Sequence, residues 1–155
     1  MKRFFALLSL IAVVAVAVAQ VGPLALDWEL KGFNKEKRNC SCELIICNVG
    51  NENLSDNWAL YFNNFPRTFV VEDNCPFTID KVQTGYFKLT PKKGFKLSKG
   101  KTAKVKYTVS GVVPSLSYAP DGGHVTIGDA APLPAPIRKK PMKKGTFATT
   151  NAYPT

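Results

Sequence analysis

The sequence is poor in the side chains that build catalytic and metal centres. Its 155 residues include one histidine, His124, and a lone imidazole is more often structural than catalytic. There are four cysteines, and their spacing matches no common zinc finger. We therefore predict no bound metal, no cofactor and no catalytic residue, and we expect a protein that is not an enzyme.

A sustained helical period is also missing, which leaves β-structure as the prediction. Apolar and polar residues alternate cleanly over residues 24–30 and 102–109, the pattern of half-buried strands. Residues 41–49 are apolar on both faces, which is typical of a central strand. With seven or eight short strands separated by turns, the fold class predicted is all-β: a two-sheet β-sandwich.

Only one long apolar run occurs, at residues 4–18. Lys2 and Arg3 precede it and Ala17-Val18-Ala19 closes it, which is the pattern of a cleaved signal peptide over residues 1–19. The run is short for a membrane span, so we predict a secreted, periplasmic or cell-surface protein with no stable membrane insertion after cleavage. Residues 20–127 would form the domain. Residues 128–155, rich in Pro and Lys, would be a linker or disordered tail that can be removed without unfolding the domain.

Acidic residues are few, eleven against twenty-one basic ones. Without Lys2 and Arg3 the formal charge falls from +10 to +8, which could favour nucleic acid, acidic polysaccharide or a membrane surface. Five of the basic residues lie within residues 138–144, however, so we prefer solubility and a basic tail as the explanation. Export further disfavours nucleic acid, and no nucleic-acid partner is predicted.

The four cysteines allow one disulfide at most, unless Cys40 sits in a bend. If residues 40–47 are extended, Cys42 and Cys47 lie about 16 Å apart on opposite faces and cannot pair. Cys40 shares a face with Cys42 but is awkwardly placed for a bridge along one strand. We therefore expect Cys75 to pair with Cys47 or with Cys42, in a protein whose export permits oxidation.

The stretch 48–67 carries a family resemblance. Asn48-Val49-Gly50, the run Trp58-Ala-Leu-Tyr-Phe-Asn63 and Pro66-Arg67 resemble the N-terminal β-sandwich domain of chitobiases and other β-hexosaminidases. Weaker matches extend the resemblance over residues 24–127, and it implies an immunoglobulin-like or carbohydrate-binding-module-like β-sandwich. The paired Asp-Glu motif of that family's catalytic domain does not occur in this sequence. The resemblance therefore implies a non-catalytic accessory module for chitin or other N-acetylhexosamine glycans, from a truncated or split enzyme or working with a glycoside hydrolase partner.

Sugar binding needs flat aromatic rings to stack on, with amides and charges to bind hydroxyls. Alternation along 58–63 places Trp58 with the core residues and Tyr61 on the opposite face, so we expect Trp58 to be buried and Tyr61 partly exposed. The alternative function is a non-sugar protein-interaction or spacer domain at the cell surface. The candidate carbohydrate-binding residues are Tyr61, Asn63, Asn64, Arg67, Tyr86 and Trp58.

Overall fold

A computed structural model describes residues 21–143, and these residues are almost entirely β-structure. The predicted signal peptide and the end of the predicted tail lie outside the described residues. Within the described range there are ten strands and one short 3-10 helix, Leu116–Tyr118. The strands are β1 Leu24–Asn34, β2 Asn39–Asn48, β3 Trp58–Asn63, β4 Phe69–Val71, β5 Phe77–Gln83, β6 Tyr86–Pro91, β7 Thr102–Ser110, β8 Asp121–Ile127, β9 Leu133–Pro134 and β10 Ile137–Lys139.

The strands form two five-stranded sheets. Sheet one has the order β10-β1-β2-β7-β4, and sheet two has the order β5-β6-β3-β8-β9. Neighbouring strands are antiparallel except β1 and β10, which run parallel. The predicted all-β sandwich is confirmed. β2 is the central strand of sheet one, as its two apolar faces indicated, and β3 is the central strand of sheet two.

The core lies between the sheets and is built by the period-two pattern of the strands. The inward side chains of β1 and β2 are almost fully buried, and those of β3 close the core from the other sheet. A buried hydrogen bond crosses sheet one, in which Trp28 Nε1 donates to the Tyr107 hydroxyl at 2.8 Å. The inward residues of these three strands are Leu24, Leu26, Trp28, Leu30, Cys40, Cys42, Leu44, Ile46, Trp58, Leu60 and Phe62.

Asn48 ties two loops together at one end of the sandwich. Its side chain is fully buried, and Nδ2 donates to the carbonyl oxygens of Glu52 at 2.8 Å and Leu97 at 3.0 Å. Its Oδ1 accepts from the Gly50 N–H at 3.0 Å. Its backbone N–H donates to Lys101 O at 3.0 Å. A residue that the sequence presents as a simple turn former therefore holds the β2–β3 loop against the β6–β7 loop.

The expected disulfide from Cys75 is not present, because all four cysteines are free thiols. β2 is extended, and Cys42 faces the core while the half-buried Cys47 lies on the outer face. Burial raises the pKa of the Cys42 thiol to about 12, so it packs as a neutral apolar group. The turn at Cys75 is closed by the backbone, since the Cys75 N–H donates to Glu72 O at 2.9 Å.

The sandwich extends beyond residue 127, which corrects the predicted start of the tail. β9 pairs with β8 in sheet two, and β10 pairs with β1 in sheet one. Ala135 is fully buried, and its carbonyl oxygen lies against Gly123. A Cβ at position 123 would clash with this oxygen, so the segment can pack here because residue 123 is glycine. Ile137 is buried beside the β1 edge. These contacts were not predictable from the sequence, because strands of two and three residues are too short to show an alternating pattern.

Basic side chains of this segment also form ion pairs with acidic residues of sheet one. Arg138 forms a two-pronged ion pair with Asp27, with Nη2 to Oδ2 at 2.8 Å. The hydrogen bond from Arg138 holds the pKa of the Asp27 carboxyl below its usual range. Farther along, Lys140 and Lys143 lie 3.5 and 3.4 Å from the carboxylate oxygens of the buried Glu29. The basic residues after β10 are therefore partly engaged with the acidic residues of β1.

We expect truncation after Ile127 to lower the melting temperature by about 5 °C or more. The truncated chain loses the burial of Ile137 and leaves β1 without its edge partner, and burying one such side chain stabilises a domain by roughly 2 kcal/mol. The matched control is Arg138→Ala, whose exposed ion pair contributes little to stability. Thermal unfolding followed by circular dichroism measures both; an unchanged melting temperature in the truncated chain would contradict the docking of β9 and β10.

We expect Asn48→Ala to destabilise the protein by about 2 kcal/mol or more, because it removes the buried hydrogen bonds from Nδ2 to the Glu52 and Leu97 carbonyls and leaves the Gly50 N–H without its partner. Asn53→Ala is the control, since Asn53 Oδ1 accepts a single exposed hydrogen bond from the Lys99 N–H. Urea unfolding of the two variants measures the difference. Equal small losses would show that Asn48 is no more than a turn residue.

Candidate functional site

The outer face of sheet two brings together aromatic and polar side chains from its three inner strands. Because Leu60 and Phe62 of β3 point into the core, Tyr61 and Asn63 point outward. Tyr61 lies opposite Lys88 of β6 on one side and His124 of β8 on the other. We call the set Tyr61, Tyr86 and His124 the aromatic face; Asn63, Lys88 and Asp121 flank it.

A bulge in β8 sets the register of the aromatic face. The pairing of β3 with β8 shifts between Tyr61 and Asn63, so that Tyr61 faces His124 while Asn63 faces Asp121. Gly122 occupies the bulge at φ 61°, and a Cβ there would lie 2.8 Å from Asn63 Nδ2. Pro120-Asp-Gly-Gly123 has the composition of a turn, but in the structure β8 includes Asp121, with a register shift against β3.

The three rings form one assembly. Tyr61 and His124 have ring centroids 5.1 Å apart and planes within 8°, which is too close for rings lying side by side and is an offset stack. Tyr61 and Tyr86 are 5.8 Å apart at 21°. The Tyr86 hydroxyl and His124 Nε2 are hydrogen-bonded at 3.1 Å. Tyr86 and His124 are thus joined by a hydrogen bond with ring planes 19° apart, and Tyr61 is stacked against both rings.

The environment raises the pKa of the Tyr86 phenol. Burial is the main cause and the neighbouring Tyr61 adds to it. A phenol is protonated at neutral pH even without this shift, so the hydroxyl can hydrogen-bond with His124 or with a ligand. The Lys88 ammonium lies 5.8 Å from the Tyr61 ring centroid, within the range of a cation–π interaction.

Three of the candidate residues from the sequence do not belong to this face. Trp58 is 2% exposed and packs against Phe77 with ring centroids 5.9 Å apart, so the expected core position is confirmed and almost no surface of the side chain is open to a ligand. Asn64 is also buried, and its Nδ2 donates to Phe65 O at 2.9 Å. Burial removes both side chains from contact with a surface ligand.

Arg67, the third, belongs to a separate cluster. Its guanidinium carbon lies 5.3 Å from the ring centroid of the exposed Phe65 and 5.5 Å from that of Tyr118. Its Nη1 donates to Ser110 O at 3.4 Å, which joins the β3–β4 connection to the end of β7. Among the described residues, these contacts give Arg67 a structural role: its side chain packs on two aromatic rings and joins the β3–β4 connection to β7.

His124 is the site residue that sequence reasoning missed. A lone histidine after two glycines reads as structural, and its pairing with Tyr61 depends on the register of β8 against β3. Asp121 was missed for the same reason, and Lys88 because its position depends on the register of β6 against β3. The only sequence signal available was the alternation of side chains along the strand. His124 and Thr126 alternate with the apolar Val125, which is buried, so His124 is expected to point outward.

Over residues 21–143, no group of three or more histidine, cysteine, aspartate or glutamate side chains is arranged to hold a metal ion. Across the same residues, none of the helical structure is long and apolar enough to cross a membrane.

Comparison with known proteins rests on structure. No protein-family model matches the sequence, and neither does any curated protein. The fold is similar to part of a GH20 exo-β-N-acetylglucosaminidase from Vibrio harveyi, solved in complex with N-acetylglucosamine. The TM-score is 0.57 and the identity 16%, over 78% of this chain and 18% of that chain.

Two further structures are similar. One is a family GH18 chitinase from Chromobacterium violaceum, with a TM-score of 0.52 and 12% identity over 81% of this chain and 21% of that chain. The other is the carbohydrate-binding module CBM3b of cellobiohydrolase 9A from Clostridium thermocellum, with a TM-score of 0.49 and 10% identity over 74% of this chain and 97% of that chain. The chain spans about a fifth of the length of the two enzymes. At these identities the likeness concerns the fold, and the resemblance to β-hexosaminidases carried by residues 48–67 is confirmed at that level.

Proposed function

We propose that this protein is a carbohydrate-binding module whose ligand lies on the aromatic face. The observation that supports this proposal is the joined assembly of Tyr61, Tyr86 and His124 on the outer surface of sheet two. All three side chains are partly exposed. Sugar rings present C–H groups on their faces, and such groups pack on aromatic rings, while ring hydroxyls need hydrogen-bonding partners nearby.

The flanking polar groups favour a glycan with amide substituents. The Asn63 amide both donates and accepts hydrogen bonds, which suits an acetamido group as well as a hydroxyl. Lys88 supplies a donor on one side of β3. Asp121 supplies acceptors on the other side, where its carboxylate also accepts from the Gly122 N–H and pairs with Lys139. The similar GH20 enzyme was solved with N-acetylglucosamine, and a similar fold occurs in a chitinase. These facts together support chitin or another N-acetylhexosamine glycan as the ligand class.

In this proposal the protein acts outside the cell as an accessory module. The segment 1–19 supports secretion or delivery to the periplasm or cell surface. A glycoside hydrolase that degrades the same glycan is the protein partner we favour, because the similar folds lie within such enzymes.

The proposed role is non-catalytic, which an activity assay tests directly. We expect no release of nitrophenol from p-nitrophenyl N-acetyl-β-glucosaminide by the purified chain. Turnover that co-purifies with the protein and is lost in a variant of the aromatic face, such as His124→Ala, would show an enzyme instead.

We expect Tyr61→Ala to weaken binding to chitooligosaccharide about fivefold while the protein stays folded. A single aromatic contact contributes about 1 kcal/mol, and fivefold is the corresponding change in Kd. Isothermal titration calorimetry measures the affinity and thermal unfolding measures the stability. The matched control on the same strand is Trp58→Ala, which we expect to cost about 3–5 kcal/mol of stability because it empties a core position.

A second control separates the aromatic face from exposed apolar surface in general. Phe65→Ala removes an exposed ring outside the aromatic face and should leave the affinity unchanged. Equal weakening by Phe65→Ala and Tyr61→Ala would contradict the proposed location. Absence of binding to chitin, chitooligosaccharides and other N-acetylhexosamine glycans by the unaltered protein would favour the protein-interaction or spacer domain.

A further inference from the structure

The β6–β7 connection concentrates positive charge at one end of the sandwich. Residues 92–101, which we call the lysine loop, contain five lysines in ten positions, and all five are exposed. Among the described residues, no ion pair or side-chain hydrogen bond engages any of these ammonium groups. The lysines are Lys92, Lys93, Lys96, Lys99 and Lys101.

The lysine loop is fixed in place, so its charges form a defined surface. Leu97 is buried, exchanges two backbone hydrogen bonds with Leu54 at 3.0 and 2.8 Å, and accepts from Asn48 Nδ2. The Gly94 N–H donates to Asp56 Oδ2 at 2.6 Å. An anchored loop loses little freedom when it binds a partner, which favours affinity.

The local charge remains positive after its acidic neighbours are counted. The adjoining β2–β3 loop contributes Glu52 and Asp56, which leaves five positive against two negative charges, or +3. Lys104 and Lys106 continue the positive charge along β7, where both lie near Glu43: Lys104 Nζ is 3.9 Å from its carboxylate, and Lys106 stands opposite it across the β2–β7 pair. Such a cluster attracts a polyanion over a distance of roughly one Debye length.

The apolar residues of the loop distinguish between classes of polyanion. Phe95 points back toward Phe77, with ring centroids 4.7 Å apart, and Leu97 is buried. The loop therefore offers no projecting apolar side chain to insert into a membrane interface and no projecting ring on which nucleobases could stack. A hydrated polymer with one carboxylate on each sugar ring needs neither feature.

We propose that the lysine loop is a second binding surface, specific for acidic polysaccharide of the polyuronate type. It is separate from the aromatic face in position and in chemistry, and it does not depend on the function proposed there. The two surfaces would allow one module to contact a neutral glycan by stacking and an acidic glycan by charge.

Affinity electrophoresis in gels containing polygalacturonate tests this proposal on the unaltered secreted chain and on two charge-matched variants. We expect Lys93→Glu with Lys96→Glu to weaken retention about tenfold. The control, Lys35→Glu with Lys37→Glu, changes the net charge equally at the opposite end of β2, about 30 Å away, and should change retention less than about twofold.

Retention should vanish in about 1 M salt. Lys93→Gln with Lys96→Gln provides a milder loop variant, and thermal unfolding confirms that each variant is folded.

Equal losses in the loop and control variants would overturn the proposal, since they would show a response to net charge alone. Absence of retention by polygalacturonate would also overturn it. Tighter binding to single-stranded DNA, or to vesicles containing phosphatidylglycerol, would replace the polysaccharide with a different partner. Tyr61→Ala should bind polygalacturonate normally, so a failure of the aromatic face and a failure of the lysine loop are distinguishable.

Discussion

The period-two geometry of β3 is the constraint on which both the core and the candidate site depend. Trp58, Leu60 and Phe62 fill the interior from one face of this central strand, and Tyr61 and Asn63 stand on the other. Since successive side chains must alternate, the packing that fixes the core also fixes where Tyr61 points. A shift of one residue in the register of β3 would bury Tyr61 and expose the core, so the aromatic face is as rigidly placed as the interior beneath it.

Two kinds of contact hold the rest of the sandwich to this centre. At one end, the buried amide of Asn48 joins the β2–β3 and β6–β7 loops, and it thereby fixes the lysine loop. At the β1 edge, β10 adds a parallel strand and the segment before it crosses over Gly123 from sheet two. The binding surfaces that we propose are thus carried by elements that are themselves anchored, and little structural change on binding is required of them.

Much of the fold was predictable from the sequence, because most strands are long enough to show alternation. Residues 24–30, 41–49, 58–63 and 102–109 each indicate a strand and an inward face, and the burial of Trp58 follows from parity. The sequence did not predict which residues of neighbouring strands lie opposite each other in a sheet. His124 reaches Tyr61 only through the bulged register of β8, and β9 and β10 are too short to leave a period. The ligand candidates chosen by residue type alone included Asn64 and Arg67, whose neighbours in space explain them better as packing residues.

The central claim is that a glycan binds on the outer face of sheet two, and mapping by nuclear magnetic resonance tests it most directly. Backbone and side-chain signals of the isotopically labelled protein would be followed while chitotetraose is added. The account predicts that the largest shifts fall on Tyr61, Tyr86 and His124, with smaller ones on Asn63 and Lys88. Saturable shifts confined to another surface, such as the cluster of Phe65, Arg67 and Tyr118, would contradict it.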